Sequence, residues 1–350
     1  MCPCAALGGK KMAMLTRLHP HVSMPGLLTP QTQQVPFKKY LGAITNYGDL
    51  AKEKVYFTTV TNINSETHIG QQWGSDMAKQ TYTLGQVDAP YYRISAMVEY
   101  NVDEQSKFEA ISNGIALPDF LEKLARQGIA QRRHQGVLLG FDAAEPSQGI
   151  INNSTFVTLP ADSKGRQTLL GYDLAEFQAF LSKLAREVLN ASYGTAKPCV
   201  IASSTRIVNY LKSAVIPLIE SQKEGGGVDS VAGLFGRISG QWMGVGQVEF
   251  IEDNLLQDYD LTDASSPKDV ILMIAPGLSP QVTGSDEALE MNLVGNANIT
   301  YNTWCDEALG ALRFDAPPSL GAYQFRYVYK MTPGVTLRPE AVVKTSIKYA

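Results

Sequence analysis

Cys2-Pro3-Cys4 and His19-Pro20-His21 are the residues of this chain whose types could hold a metal, since two thiols and two imidazoles make up a Cys2His2 zinc set. Their spacing argues against it. A proline stiffens each pair, and the separation matches no zinc motif. Carboxylates at Glu252-Asp253 and from Asp258 to Asp263 could collect a divalent cation, but the pattern reads as a solvated acidic loop. Nucleophilic chemistry has still less support. Gly236-Arg237-Ile238-Ser239-Gly240 misses the Gly-x-Ser-x-Gly elbow by one residue. Of the four histidines, His68 and His134 stand alone and read as polar surface residues. Gly244-Val245-Gly246 leads into a strand-like segment instead of a helix, so no nucleotide cradle is supported. No catalytic residue, no metal ligand and no cofactor is assigned. Lys123, Arg126, Arg132 and Arg133 remain as a sparse basic patch along one helix, open to either phosphate contact or structural pairing.

That helix is the strongest element of the chain. Pro118 suits a first turn, where its missing N–H costs nothing, and Asp119 complements the positive helix end. Leu117, Leu121, Leu124 and Ala125, with Phe120 beside them, form one stripe of a 3.6-residue repeat. The pattern runs to Leu138-Leu139-Gly140 and then into a loop ending Gly149-Ile150-Ile151-Asn152-Asn153. About 20 helical residues make a rod roughly 30 Å long. Its section Gln131-Arg132-Arg133-His134-Gln135 is polar all round and is expected to meet solvent, another subunit or a polyanion.

Other elements flank it. Residues 1 to about 46 carry prolines at 3, 20, 25, 30 and 36 and read as an arm. Val55 to Val60 and Tyr91 to Tyr100 read as the two strands of an extended hairpin with a long polar tip from Thr61 to Gln80, which needs a partner to cover it. A second helix starts at Asp173 with Glu176 in a capping box and a face of Leu174, Phe177, Leu181, Leu184, Ala185 and Val188. Pro198 to Ala202, Gln247 to Ile251 and Asp269 to Ala275 read as strands, and Thr205 to Lys212 as a short helix. Glu224 to Gly246, rich in glycine, reads as mobile loops. Tyr323 to Tyr329 alternates strictly, and with the Pro333-Gly334 turn and the tail from Val335 to Tyr349 it predicts a hairpin.

Composition sets the frame. Apolar residues are 44% and charged residues 18% of 350, as in a soluble globular chain with room for about two domains. A net charge of −4 argues against a dedicated nucleic-acid binder. Four scattered cysteines do not make a disulfide framework, and Cys199 reads as a small core residue. No run of about 18 apolar residues is present, and Met12-Ala13-Met14-Leu15 after Lys10-Lys11 is too short for a signal peptide, so a cytoplasmic protein is expected.

Taken in order, the elements resemble the major capsid proteins of tailed bacteriophages, those with the Hong Kong 97-type fold. The arm, the long hairpin, the helix ending in Leu138-Leu139-Gly140, the turn Gly149-Ile150-Ile151-Asn152 and the ending Gly334 to Val342 look like that family's N-arm, E-loop, spine helix, Gly-[Leu/Ile]-[Leu/Ile]-Asn turn and C-terminal stretch. The resemblance implies an α+β fold with an N-terminal arm (1–50), an E-loop hairpin (51–100), a peripheral domain with the spine helix (101–195), an axial domain (196–295) and a return to the peripheral domain (296–350). It implies a homo-oligomer of pentamers and hexamers forming an icosahedral head around double-stranded DNA. A separate scaffolding protein, a portal and a decoration protein would be partners, without a membrane. Lys123, Arg126, Arg132 and Arg133 would face the genome, and Trp73, Met77, Lys79 and Tyr82 would contact a neighbour from the hairpin tip. Covalent linkage of Lys79 to a neighbour's asparagine is compelled by no residue pattern. An encapsulin shell of the same fold, and a cytoplasmic α+β enzyme with a compact ligand pocket, are the alternatives.

Overall fold

In the computed structural model the described residues are 35–45, 52–65, 80–111, 115–142, 148–159, 165, 168–192, 198–213, 215–217, 228–230, 248–260, 266–277, 299–303, 311–315 and 322–349. The helices are α1 (Val102–Ile111), α2 (Leu117–Leu138), α3 (Leu174–Ala191) and α4 (Thr205–Ser213). The strands are β1 (Ala43–Thr45), β2 (Lys54–Ser65), β3 (Gln80–Pro90), β4 (Tyr92–Asn101), β5 (Thr155–Phe156), β6 (Val200–Ser203), β7 (Val215–Pro217) and β8 (Val228–Ser230), followed by β9 (Glu249–Glu252), β10 (Asp269–Ile274), β11 (Ile299–Asn302), β12 (Leu312–Asp315), β13 (Ala322–Met331), β14 (Val335–Thr336) and β15 (Val342–Ile347).

A five-stranded sheet in the order β5-β15-β10-β6-β9 divides two cores. Strand alternation sends Val200, Ala202, Leu272, Ile274 and Val342 to one core and Ile201, Ile271, Met273 and Val343 to the other. Because both faces are covered, β10 is buried at every position, which explains its unbroken apolar run after Asp269. α3 places Phe180, Leu181, Leu184, Ala185 and Val188 in the second core. The backbone N–H of Asp173 donates to the Glu176 carboxylate at 3.0 Å, half of the expected capping box. Leu174 and Phe177 lie outside the side chains described. The apolar face of α3 packs with β6, β10 and β15.

The long helix α2 belongs to the first core. It lies across β4 and β13, the adjacent strands of a three-stranded sheet in the order β12-β13-β4. Two expected hairpins are corrected here. β4 pairs antiparallel with β13, from Tyr92↔Met331 to Asn101↔Ala322, and the true partner of β2 is β3. The second arm of that hairpin is Gln80–Pro90, whose strand formers Thr81, Tyr82, Thr83 and Val87 are interrupted by Gly85 and followed by Asp88 and Pro90. The ladder ends at Lys54↔Pro90, beyond which Tyr91 N donates to Glu53 O at 2.8 Å. Likewise β13 does not fold back on the tail: β14 pairs with β11, while β15 pairs with β10 and β5. Gly334 is not a free turn residue, for its N–H donates to Gly136 O at 3.2 Å.

Candidate functional site

No chemistry-bearing cluster dominates the described residues, and no group of three or more His, Cys, Asp or Glu among them could hold a metal. Cys2, Cys4, His19 and His21, the elbow-like Gly236 to Gly240, and His68 lie outside the described residues, as do Trp73, Met77 and Lys79. Tyr82 is placed by its backbone alone, opposite Ile63 in the β2–β3 ladder. Among the described residues no helix is long and apolar enough to cross a membrane.

The candidate site is instead a mechanical one, built around α2. Its polar section was expected to meet solvent, another subunit or a polyanion, yet within the subunit itself Arg133 is 5% and His134 1% exposed. The covering is supplied by residues 35–45, which the sequence alone reads as a loose arm. A single turn, Phe37–Tyr40, buries both its aromatic ends. The Arg133 guanidinium lies 4.9 Å from the Phe37 ring and 4.2 Å from the Tyr329 ring, and Nη2 donates to the Tyr301 hydroxyl at 2.8 Å. His134 stacks on Tyr40 at 6.2 Å between centroids, and its Nε2 lies 2.9 Å from Asp253 Oδ2. The same carboxylate accepts from the Tyr40 hydroxyl at 2.6 Å and from Leu255 N at 3.0 Å. Asp253 is 1% exposed, so the acidic loop is packed at this point and not solvated. Beyond the turn, Gly42 N donates to Ile299 O and β1 joins β11 in parallel register.

Burial first, and then the charge of Asp253 and the hydrogen bond it accepts, push the Tyr40 phenol well above the usual tyrosine range. A folded-state pKa above the unfolded one contributes stability that is full below the ordinary tyrosine pKa and falls as pH rises above it. Between about pH 10 and the folded-state value, Tyr40 should make stability fall by about 1.4 kcal/mol per pH unit. Tyr40→Phe is expected to remove that share of the slope. Urea unfolding from pH 9 to 11.5 tests this, and an unchanged slope would show that Tyr40 ionises alike in both states.

The far end of α2 is equally determined. Its last carbonyls are all partnered: Gly136 O accepts from Gly140 N and Gly334 N, Val137 O from Ile150 N at 3.1 Å, and Leu138 O from Ile151 N at 3.0 Å. Leu139 O, just past the helix, accepts from Asn152 Nδ2 at 3.1 Å, and that amide also reaches Gln148 O at 2.9 Å. The Gly-Ile-Ile-Asn turn is thus the cap of the long helix. Gly149 has φ +83°, and a Cβ there would press into Leu139 C and Gly140 N.

A second node lies under α4. Asp269 is fully buried and accepts from Ser204 Oγ, from Arg206 Nε at 2.7 Å and Arg206 Nη2, and from Asp258 N at 2.8 Å. Arg206 Nη2 also reaches Asp258 Oδ1 at 2.6 Å, holding Asp258 at φ +50°. Hydrogen bonding to Asp269 is the largest of the influences that raise the Arg206 pKa. Neither Asp269, Ser204, Arg206 nor Tyr40 stood out in the sequence, because each owes its role to a partner far along the chain.

The basic patch does not survive as one surface. At about 100° per residue, Arg132 points to the side of α2 opposite Lys123. Arg126 is held by Glu122 at 2.9 Å and lies over the Tyr327 ring, and Arg133 is enclosed as described. Lys123 and Arg132 are exposed. Leu124, expected in the buried stripe, is 41% exposed. A cleft of about 510 Å³ beside β15 is lined by Phe156, Tyr259, Asp260 and Lys344. Lys344 spends a donor on Ile151 O at 2.7 Å, and burial lowers its pKa from the ordinary lysine value.

No protein-family model matches the chain, and no curated protein matches it in sequence. Solved structures do match in fold. A chain of the capsid of Myoviridae Phage XM1 aligns over 95% of this chain and 98% of its own with a TM-score of 0.67 at 12% identity. One from Gordonia phage Cozz aligns over 97% and 93% with a TM-score of 0.56 at 13% identity. A chain of the capsid of a native GTA particle gives 0.56 over 94% and 95% at 10% identity. The fold is therefore the α+β Hong Kong 97-type capsid fold, over almost the whole length of the chain.

Proposed function

We propose that this chain is the major capsid protein of a tailed bacteriophage, assembling as pentamers and hexamers into an icosahedral head around double-stranded DNA. The observation that carries the reading is the match in fold across 95% of this chain and 98% of the phage capsid chain. Features of the subunit support it. The long ladder of β2 with β3 is a two-stranded sheet that no third strand joins among the described residues, an arrangement that is stable when a neighbour covers it. Tyr56, Met97, Phe156 and Phe314 are each about half exposed or more, at 57%, 69%, 53% and 48%. Assembly would bury them. The role is structural, without a reaction centre, and the location is the virion. Scaffolding, portal and decoration proteins belong to the same proposal. Packaged DNA would meet a subunit of net charge −4, with Lys123 and Arg132 as separate contacts instead of a binding stripe.

Sedimentation of the chain expressed alone and with its neighbouring genes, followed by negative-stain imaging of the fastest fraction, tests the proposal. Closed shells or capsomers are the expected result. A monodisperse monomer or dimer under both conditions would overturn it. Shells that carry a cargo enzyme in place of DNA would move the assignment to an encapsulin.

A further inference from the structure

We infer that Phe37–Tyr40 is a releasable strap, seated on α2 and on the loop after β9, whose opening is felt at both. The seat is made of Arg133, His134, Asp253, Tyr301 and Glu249, the last of which pairs with Lys39.

Three observations carry the inference. First, the strap has little stability of its own: one four-residue turn, with no side-chain hydrogen bond at its N-cap, following Pro36. Its shape is imposed by the seat. Second, the seat is polar beneath its aromatic cover. Lifting Phe37 and Tyr40 would uncover a guanidinium, an imidazole, a carboxylate and a phenol, all of which water can satisfy, so opening costs less than baring an aliphatic core of equal area. His134 Nδ1 already lacks a hydrogen-bond partner among the described residues while the strap is closed, and hydration on opening would supply one. Third, one carboxylate serves both sides. Asp253 holds the Tyr40 hydroxyl and caps the turn Asn254–Leu256 through Leu255 N. Its His134 contact ties the same group to the C-terminal part of α2. Losing Tyr40 therefore removes one of three partners of the Asp253 carboxylate, leaves it to His134 and Leu255 N, and loosens the loop with it.

The ladder fixes where opening stops. Gly42 N on Ile299 O and the pairing of Ala43–Thr45 with β11 hold the downstream residues, which places the hinge at Leu41 and Gly42. A strap of this kind lets residues 35–40 change position, withdrawing Phe37 and Tyr40 from the edge of the first core while the second core is untouched. It does not depend on the capsid assignment.

Hydrogen exchange followed by mass spectrometry on the full chain tests it. For Tyr40→Phe, exchange across residues 36–42 is expected to rise about ten-fold, with a parallel rise across 253–257 and none in α3, since a hydrogen bond to a charged group is lost. Asp253→Asn should raise the same two segments, and the double variant should add little to either. Lys39→Ala removes a pair that is half exposed and is expected to change exchange less than about three-fold. A uniform rise that includes α3 would mean only global destabilisation and would overturn the strap. So would a rise at residues 36–42 with no response at 253–257, since the coupling would then be absent.

Discussion

Gly149→Ala is expected to yield no folded subunit, recovered only as aggregate under conditions where the native chain is soluble. Two costs coincide at this position. The φ of +83° is one that an L-residue other than glycine adopts at a penalty of about 1–2 kcal/mol. The added methyl would also enter the space of Leu139 C and Gly140 N, with Leu138 O at 2.9 Å. These are backbone atoms of the terminus of α2, so no side chain can turn aside to relieve the clash. Moving the turn would break the bonds from Ile150 N and Ile151 N that occupy the carbonyls of Val137 and Leu138. Ile150 and Ile151 would leave the first core with it. Strain, lost caps and lost burial together reach about 5 kcal/mol or more, comparable to the whole stability of an ordinary domain. Gly165→Ala is the control. Gly165 has φ +76° as well, but among the described residues nothing lies within 4 Å of its Cβ position, so its cost should be confined to strain. Comparing soluble yield and thermal midpoint for the two separates steric closure from conformation. Equal, mild losses for both would show that the turn after α2 gives way more easily than its packing implies.

What the sequence disclosed follows the range of the interactions concerned. α2 and α3 were legible because their signals are local: Pro118 and Asp119 at one start, and Glu176 three residues after Asp173 at the other. β6 and β10 were legible as apolar runs. Pairing was not. Strands β4 and β13 meet across more than 200 residues of chain, and nothing in Tyr92 to Tyr100 marks Tyr323 to Met331 as its partner. Proximity in sequence suggested strand pairings, β2 with β4 and β13 with the tail, that the fold does not contain. The polar section of α2 shows the same limit from another direction. Arg133 and His134 look solvated because a helix's own periodicity cannot report a cover arriving from Phe37 and Tyr40, or from Asp253, 119 residues away from His134. One clue was available. Arg133 and His134, two adjacent polar residues one turn before the apolar end Val137-Leu138 of an amphipathic helix, mark a place where another segment can supply aromatic rings and a carboxylate.

Asp269→Ala is expected to cost the subunit about 3–5 kcal/mol, a magnitude that follows from breaking one side of a buried charged pair. The carboxylate is 0% exposed and is the common acceptor for donors from three directions. Ser204, at the start of α4, donates to it and accepts from Ile207 N at 3.4 Å, so the cap of α4 loses its anchor. Asp258 N loses its acceptor, and with it one of the two bonds that hold a non-glycine residue at φ +50°. Arg206 keeps Asp258, a partly exposed partner with 41% side-chain exposure, and so retains only a weak pair. The shared geometry makes the losses non-additive. Arg206→Met alone leaves a buried carboxylate served by Ser204 and Asp258 N, and should also destabilise. In the double variant Arg206→Met with Asp269→Ala, neither an uncompensated carboxylate nor a half-stranded guanidinium remains. The double variant should therefore be more stable than the sum of the single losses predicts, by about 1.5–3 kcal/mol. Urea denaturation of the four proteins, carried out on whichever soluble form or capsomer the chain adopts, measures that coupling. Strict additivity would mean that Arg206 and Asp269 act separately, and that α4 is held in place by its apolar face of Ile207, Val208 and Leu211 alone.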